Sequence, residues 1–294
     1  MPELPEVETV RRGLDRLTCD RRITDVEVLL NRTIAYPHSI AEFQQGLTGV
    51  YIQTWTRRGK YLLAPLLASL SGSGAIAAGW LGVHLRMTGQ MLWLETQDAL
   101  HKHTRVRLKF EGDHELRFID QRTFGQMWWI PPTQDPQTVM AGMGALGPEP
   151  LASDFSEDYL AGVCKKRDRP IKSVLLDQTL IAGLGNIYAD ESLFLSGLHP
   201  EQPSRSVKPA QVQRLHSAIR SVLQTALEQG GTTFSDFRHV SGINGNYGGV
   251  ALVYRRTGEP CRQCGSAIAK LKLGGRSCHY CPACQPPILS SKKR

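Results

Sequence analysis

No acidic residue follows Glu259 in this 294-residue chain, yet Arg262, Lys270, Lys272, Arg276, Lys292, Lys293 and Arg294 do. That segment carries most of the surplus behind the formal net charge of +8. A basic balance points to a polyanionic partner and says nothing by itself about fold. Lys292 to Arg294 alone would read as a solvated tail, but the other bases sit among cysteines. A long apolar run is also missing. The most apolar stretch, residues 61–85, is broken by Pro65 and a Ser/Gly cluster and ends near His84, which excludes a membrane-spanning helix there. The opening MPELPEVETV has neither a basic start nor an apolar run, so it does not read as a signal peptide. The seven cysteines are odd in number, with four of them in two close pairs, which argues against a disulfide framework and for a metal site in a reducing compartment. No internal repeat is apparent. The expectation is a soluble, cytoplasmic protein without a membrane partner.

What is present falls into three kinds of sequence. Val7, Val10, Leu14 and Leu17 share one helical face, so residues 6–17 are expected to form an amphipathic helix. The segments ITDVEV, VYIQTWT, KYLLAPLL, WLGVHLRM, QMLWL, TRVRLKF, ELRFID and QMWWI follow, each short and rich in β-branched or aromatic residues. Such a series predicts a sandwich or barrel. SLSGSGAIAAG (69–79) reads as a flexible loop. The character changes at GMGALGPEP (142–150). Beyond it, Val212, Leu215, Ile219, Val222, Ala226 and Leu227 form an apolar stripe between Pro209 and Gly230–Gly231, and residues 170–178 and 187–196 read as shorter helices. The expected fold is α+β: an N-terminal β-sandwich domain with an N-terminal helix (1–138), a linker (139–150), a helical domain (151–250), a four-cysteine hairpin (251–288) and a basic tail (289–294).

Cys261-x2-Cys264 and Cys281-x2-Cys284 stand 16 residues apart, the spacing of a structural zinc ribbon. Each pair offers two thiolates to a tetrahedral ion. So short a segment cannot bury enough apolar surface to fold unaided, so the metal supplies the folding free energy. Four thiolates leave no open coordination position, so one structural Zn2+ and no catalytic metal is expected. Cys278 also forms a Cys-x2-Cys with Cys281 and competes with Cys284, although Pro282 suits the turn between Cys281 and Cys284. Cys19 and Cys164 are isolated and read as buried apolar residues.

Pro2 and Glu3 gain interest if Met1 is removed. The freed proline is a secondary α-amine, and α-amines titrate near about 8, so an unprotonated fraction exists at neutral pH. Such an amine can attack a sugar C1′ and form an iminium, which acidifies the C2′ proton and promotes strand cleavage. Glu3 would move protons. Glu6 lies on the first helical turn, where its charge suits the helix N-terminus.

Together with the cysteine hairpin, PELPEVE (2–8), RRGKYLL (57–63), HLRMTGQ (84–90), DQRTFGQ (120–126), LGPEPL (146–151), GLGNIYADESLF (183–194) and GRSCHYCPACQ (275–285) occur in an order and spacing that resemble the formamidopyrimidine-DNA glycosylase family. The resemblance runs from residue 1 to about 285. PELPE is similar to the oxidised-purine branch; the endonuclease VIII branch typically has glycine in place of Leu4. The resemblance implies a base-excision-repair enzyme. It flips out oxidised purines (8-oxoguanine and formamidopyrimidines) from damaged duplex DNA, excises them through an N-terminal proline Schiff base, and cleaves the strand by β,δ-elimination. No organic cofactor is implied. It implies a monomer associated with the nucleoid, a helix–two-turn–helix motif, and DNA held in a basic cleft between the domains.

Residue by residue, the resemblance makes Pro2 the nucleophile and Glu3 the general acid. Lys60 and Arg276 would contact phosphate and assist elimination. His103, Arg122, Arg167, Lys172 and Asn186 would contact DNA. Met87, Arg122 and Phe124 would fill the gap left by the extruded nucleotide, an apolar side chain and an aromatic ring replacing lost stacking while arginine bonds the orphaned base. Outside their motifs, Met87 and Phe124 would read as core residues, and Lys60 and Arg276 as solvated bases. SGINGNYGGV (241–250) resembles the loop that closes over the damaged base. Two features depart from the pattern: the length of the 69–79 insertion, and Cys278 in place of threonine or serine. Three alternatives remain: a relative preferring oxidised pyrimidines, a lyase acting only on abasic sites, and a non-catalytic zinc-ribbon DNA-binding protein.

Overall fold

The structure, a computed structural model, describes residues 2–70, 76–232, 240 and 245–287. Parts of the 69–79 and 241–250 loops and the whole basic tail therefore lie outside the described residues, as does Met1. The chain divides into two compact units: residues 1–145 with 229–246, and residues 146–228 with 247–294.

The first unit opens with helix α1 (Leu4–Thr18), whose buried face is Val7, Val10 and Leu14. It continues through β1 (Ile23–Val28), β2 (Ile34–Tyr36), α2 (Ile40–Leu47), β3 (Tyr51–Ile52), β4 (Thr56–Arg58), β5 (Tyr61–Leu67), β6 (Ala77–His84), β7 (Gly89–Glu95), β8 (Thr104–Phe110), β9 (His114–Asp120) and β10 (Gln126–Ile130). Two short helices, α3 (Pro136–Val139) and α4 (Ala141–Gly144), close it. The strands form two sheets, β1-β8-β9-β7 and β2-β10-β6-β5-β3, with β4 pairing the start of β5. Alternation decides the faces. In β8, Val106, Leu108 and Phe110 turn inward while Arg105, Arg107 and Lys109 turn out. One apolar core joins both sheets: Met91, Leu108, Leu116 and Phe118 from one, Leu62, Leu81, Val83 and Met127 from the other, with α1 and α2 packed on it.

Two polar anchors fix α1 beside β4 and β5. Asp15 accepts from the Trp55 amide at 2.8 Å, and Glu8 pairs with Arg57 at 3.3 Å. The unit also retains a distant piece of chain, since the Trp93 amide donates to the Val240 carbonyl at 2.9 Å.

The second unit contains α5 (Glu157–Lys165), α6 (Ile171–Leu175), α7 (Asn186–Ser196), α8 (Pro209–Glu228) and α9 (Tyr247–Val250), then a hairpin of β11 (Ala269–Leu273) and β12 (Arg276–Tyr280). Helix α8 buries the stripe seen in the sequence except Leu227, which is half-buried. Gly197 (φ 69°) ends α7 in the left-handed region, a conformation that favours glycine. Among the described residues no helix is long and apolar enough to cross a membrane.

Candidate functional site

The N-terminal end is built by a carboxylate that faces two ways. Helix α1 begins after Glu3, with Pro5 in its first turn, where a missing N–H costs nothing. Pro2, Glu3 and Glu6 are all buried. Glu6 Oε2 accepts from the Glu3 amide at 2.8 Å, and Oε1 accepts from the amide and hydroxyl of Thr232 at 2.8 and 3.0 Å. A side chain at Gly231 (φ 79°) would press into Glu6 at 2.9 Å, so glycine is needed on both counts. Sequence reasoning saw Glu6 as a helix-start charge and missed Thr232, since 226 residues separate them.

Lys60 sits in the turn joining β4 to β5 and is only 9% exposed. The ring of Tyr61 meets His84 edge-on, with centroids 4.4 Å apart. Burial, then the charges of Arg86 and Lys60, push the His84 imidazole down to about 3. The neutral ring accepts the Arg86 amide at Nδ1, 2.9 Å away, and Arg86 takes φ 52°. The strand expected to run to Met87 therefore ends at His84, and the chain turns there.

That turn leaves Met87 exposed, and the loop after β9 leaves Arg122 and Phe124 exposed. The Arg122 guanidinium lies 5.0 Å from the centre of the Phe124 ring. The core packing that Met87 and Phe124 would have outside their motifs therefore does not occur. His103 is held beside Arg105 at 3.1 Å, and its imidazole is shifted downward by desolvation and by Arg105.

In the second unit four thiols converge. The Sγ atoms of Cys261, Cys264, Cys281 and Cys284 all lie within 4.8 Å of one another, with pairs at 3.4 and 3.9 Å. Tetrahedral zinc with bonds near 2.3 Å places thiolates about 3.8 Å apart, so the set fits one structural Zn2+. Hydrogen bonds from Ser266 draw the Cys264 thiol down to about 6, while burial pushes the Cys281 and Cys284 thiols up. Cys278 is buried elsewhere: its thiol donates to Asp190 Oδ1 at 3.3 Å, and burial followed by the Asp190 charge pushes it up.

Asp190 and Glu191, adjacent on α7, moor the hairpin. Asp190 accepts the His279 amide at 2.9 Å; Glu191 accepts the amides of Leu252, Val253 and Tyr254 at 2.7 to 2.9 Å. Arg276 is exposed at the start of β12, just past the Gly274–Gly275 turn, whose two positive φ angles suit a tight hairpin.

One of the expected DNA contacts needs correcting. Lys172 is fully buried; its ammonium pairs with Asp190 at 2.7 Å and donates to the Ser277 carbonyl at 2.9 Å. A direct phosphate contact needs an accessible ammonium, which this one is not. Asn186 is the first residue of α7, directly after its cap Gly185. Its Nδ2 donates to the same Ser277 carbonyl at 3.0 Å, and its buried Oδ1 finds no partner among the described residues. Arg167 is half-buried and donates to the Val163 carbonyl at 3.2 Å.

Comparison with known proteins gives three family matches: the formamidopyrimidine-DNA glycosylase N-terminal domain over residues 1–127, the H2TH domain of that enzyme over 146–238, and the zinc finger found in FPG and IleRS over 258–287. The chain is 58% identical to the formamidopyrimidine-DNA glycosylase of Nostoc sp. over 97% of this chain and all of that one. It is 55% identical to the Synechocystis sp. enzyme over 98% and 99%. Among solved structures, the complex of a Lactococcus lactis FPG mutant with Fapy-dG-containing DNA matches with a TM-score of 0.87 at 35% identity, covering 97% of this chain and 100% of that chain. The MutM (FPG) protein of Thermus thermophilus matches with 0.83 at 36%, covering 97% and 98%.

Proposed function

The chain belongs to the formamidopyrimidine-DNA glycosylase family, and from that premise we propose that it excises oxidised purines through Pro2 and then cleaves the strand with its own side chains. The protein is a base-excision-repair glycosylase with lyase activity. With Met1 removed, the Pro2 nitrogen attacks C1′ of the damaged nucleotide, the glycosidic bond breaks and the base leaves. Opening of the sugar then gives the iminium. Loss of the C2′ proton expels the 3′ phosphate, and a second elimination expels the 5′ phosphate.

Glu3 moves protons at the sugar, while Lys60 and Arg276 hold phosphate and assist the eliminations. Met87, Arg122 and Phe124 fill the space vacated by the extruded nucleotide. His103, Arg122 and Arg167 contact the DNA backbone or the orphaned base. Asn186 contacts the DNA as well, and with Lys172 it holds the β12 backbone through the Ser277 carbonyl, one peptide beyond Arg276. Zinc supplies folding free energy to the hairpin and takes no part at C1′. The protein acts as a monomer on damaged duplex DNA.

The observation that carries this reading is the buried Pro2–Glu3 end, held by Glu6 against Thr232. The experiment is borohydride trapping on a duplex carrying 8-oxoguanine opposite cytosine. A covalent adduct mapping to Pro2 is expected. An adduct only with an abasic or oxidised-pyrimidine duplex would keep the chemistry and change the substrate. No adduct with any of them, from protein lacking Met1, would leave only the DNA-binding role.

A further inference from the structure

Three separate stretches of the first unit carry Met87, His103 and the Arg122–Phe124 pair, and all three hydrogen-bond to a single residue. Asp120 ends β9 and is only 1% exposed. Its Oδ2 accepts the Gly125 amide at 2.7 Å, and Oδ1 accepts the Arg122 amide at 3.2 Å, so one carboxylate spans both ends of the loop that displays Arg122 and Phe124. Oδ1 also accepts the hydroxyl of Thr88, which in turn accepts the Arg122 amide at 3.1 Å. Thr88 directly follows Met87. The Asp120 amide donates to the His103 carbonyl at 2.9 Å, and Arg105, which flanks His103, donates to the Asp120 carbonyl at 2.8 Å.

The loops held this way are not relaxed ones. Thr123 has φ 57° and Arg86 φ 52°, values that non-glycine residues adopt only when neighbouring contacts impose them. A side chain on Gly125 would meet the Phe118 ring at 2.4 Å and Asp120 Oδ2 at 3.1 Å, so the loop passes directly over the carboxylate. All three side-chain partners of Asp120 are donors. A carboxylate accepts from all of them, whereas an amide of the same shape must turn an NH2 towards at least one N–H or O–H.

We propose that the Asp120 carboxylate is the positioning group that sets Met87, Arg122 and Phe124 in one fixed geometry, with Thr88 as the bridge that makes the two inserting loops act together. The proposal rests on the gap-filling role given to Met87, Arg122 and Phe124. Preorganisation is its physical value: groups that replace a stacked nucleotide work only if already aligned when the base leaves, and small misplacements are costly.

The test uses the full zinc-loaded chain and two substrates. Single-turnover excision of 8-oxoguanine from a duplex requires the gap to be filled; borohydride trapping on a single-stranded abasic oligonucleotide does not. Asp120→Asn is expected to slow duplex excision by at least about tenfold, while trapping on the single strand stays within about twofold. A 2-aminopurine beside the lesion should lose its unstacking signal in parallel. Thr88→Val should slow duplex excision by about threefold, Thr88→Ser should restore it, and Thr88→Val should add nothing in the Asp120→Asn background. Should Asp120→Asn fail to fold, the Thr88 pair decides alone. Wild-type duplex excision by both variants, or equal losses on the two substrates, would overturn the proposal. Phe124→Ala separates the two layers: if it leaves duplex excision unchanged, the gap-filling reading fails and Asp120 falls with it. If Phe124→Ala is slow while Asp120→Asn is not, only the positioning role fails.

Discussion

The sandwich and the cysteine hairpin are held together by different physics. The sandwich core joins two sheets and two helices through large apolar side chains, Trp55, Phe43, Phe118 and Leu62 among them. The core around the hairpin is Phe194, Val253, Cys261, Ile268 and Cys281, so two of its five buried members are thiols of the metal cluster. Apolar burial dominates the first. The second depends on the metal and on two carboxylates, Asp190 and Glu191, that grip its backbone. Pro2 thus rests on a frame that needs no ligand, and Arg276 on one that does.

The largest effect expected from this contrast is that of zinc removal. Structural zinc sites contribute about 10–16 kcal/mol in isolated finger peptides, far more than the hairpin's apolar contacts could replace. Chelation should lower duplex affinity by more than about a hundredfold, since the phosphate contacts proposed for the hairpin go with it. All five tryptophans, Trp55, Trp80, Trp93, Trp128 and Trp129, lie in the first unit. Tryptophan fluorescence should therefore stay unchanged while zinc leaves. A shift in that spectrum on chelation would break the comparison.

A smaller effect probes the sandwich alone. His84 has its folded pKa depressed from 6.5 to about 3, chiefly by burial. Above pH 6.5 the ring is neutral whether the chain is folded or not, and its burial carries no proton cost. As pH falls below 6.5 the unfolded chain takes up a proton that the folded one refuses, so stability is lost progressively towards pH 3, by about 2 kcal/mol at pH 5. Denaturant titrations of wild type and His84→Asn should diverge by that amount between pH 7 and pH 5, with the wild type losing more. Parallel curves would mean that the ring is hydrated or charged in the folded state.

Patterns with a short period were legible in the sequence. The helix expected at 6–17 is Leu4–Thr18, and TRVRLKF and QMWWI are β8 and β10 residue for residue, because alternation and helical stripes are local signals. The cysteine spacing gave the metal cluster for the same reason. What stayed hidden were the carboxylates that hold distant chain. Glu6 to Thr232, Asp190 to His279 and Glu191 to Val253 span 226, 89 and 62 residues, and a buried acid looks the same in a sequence as a solvated one. Lys172 was misplaced on the same ground: lysine is rarely fully buried unless paired, and its partner Asp190 lies on another helix.

Cys278 gives the smallest and most discriminating test. The cysteine spacing left it in competition with Cys284, but its thiol donates to Asp190 and lies outside the four-sulfur cluster. Threonine there keeps a donor for Asp190, is close in volume and suits a strand. Cys278→Thr should therefore change stability by less than about 1 kcal/mol and leave one zinc per chain by atomic absorption. Cys284→Ala, by contrast, should lose the metal. The reverse result, with zinc lost from Cys278→Thr and kept by Cys284→Ala, would move the fourth ligand into β12. It would also take away the donor that Asp190 receives from Cys278, so the hairpin's two supports would no longer be separate.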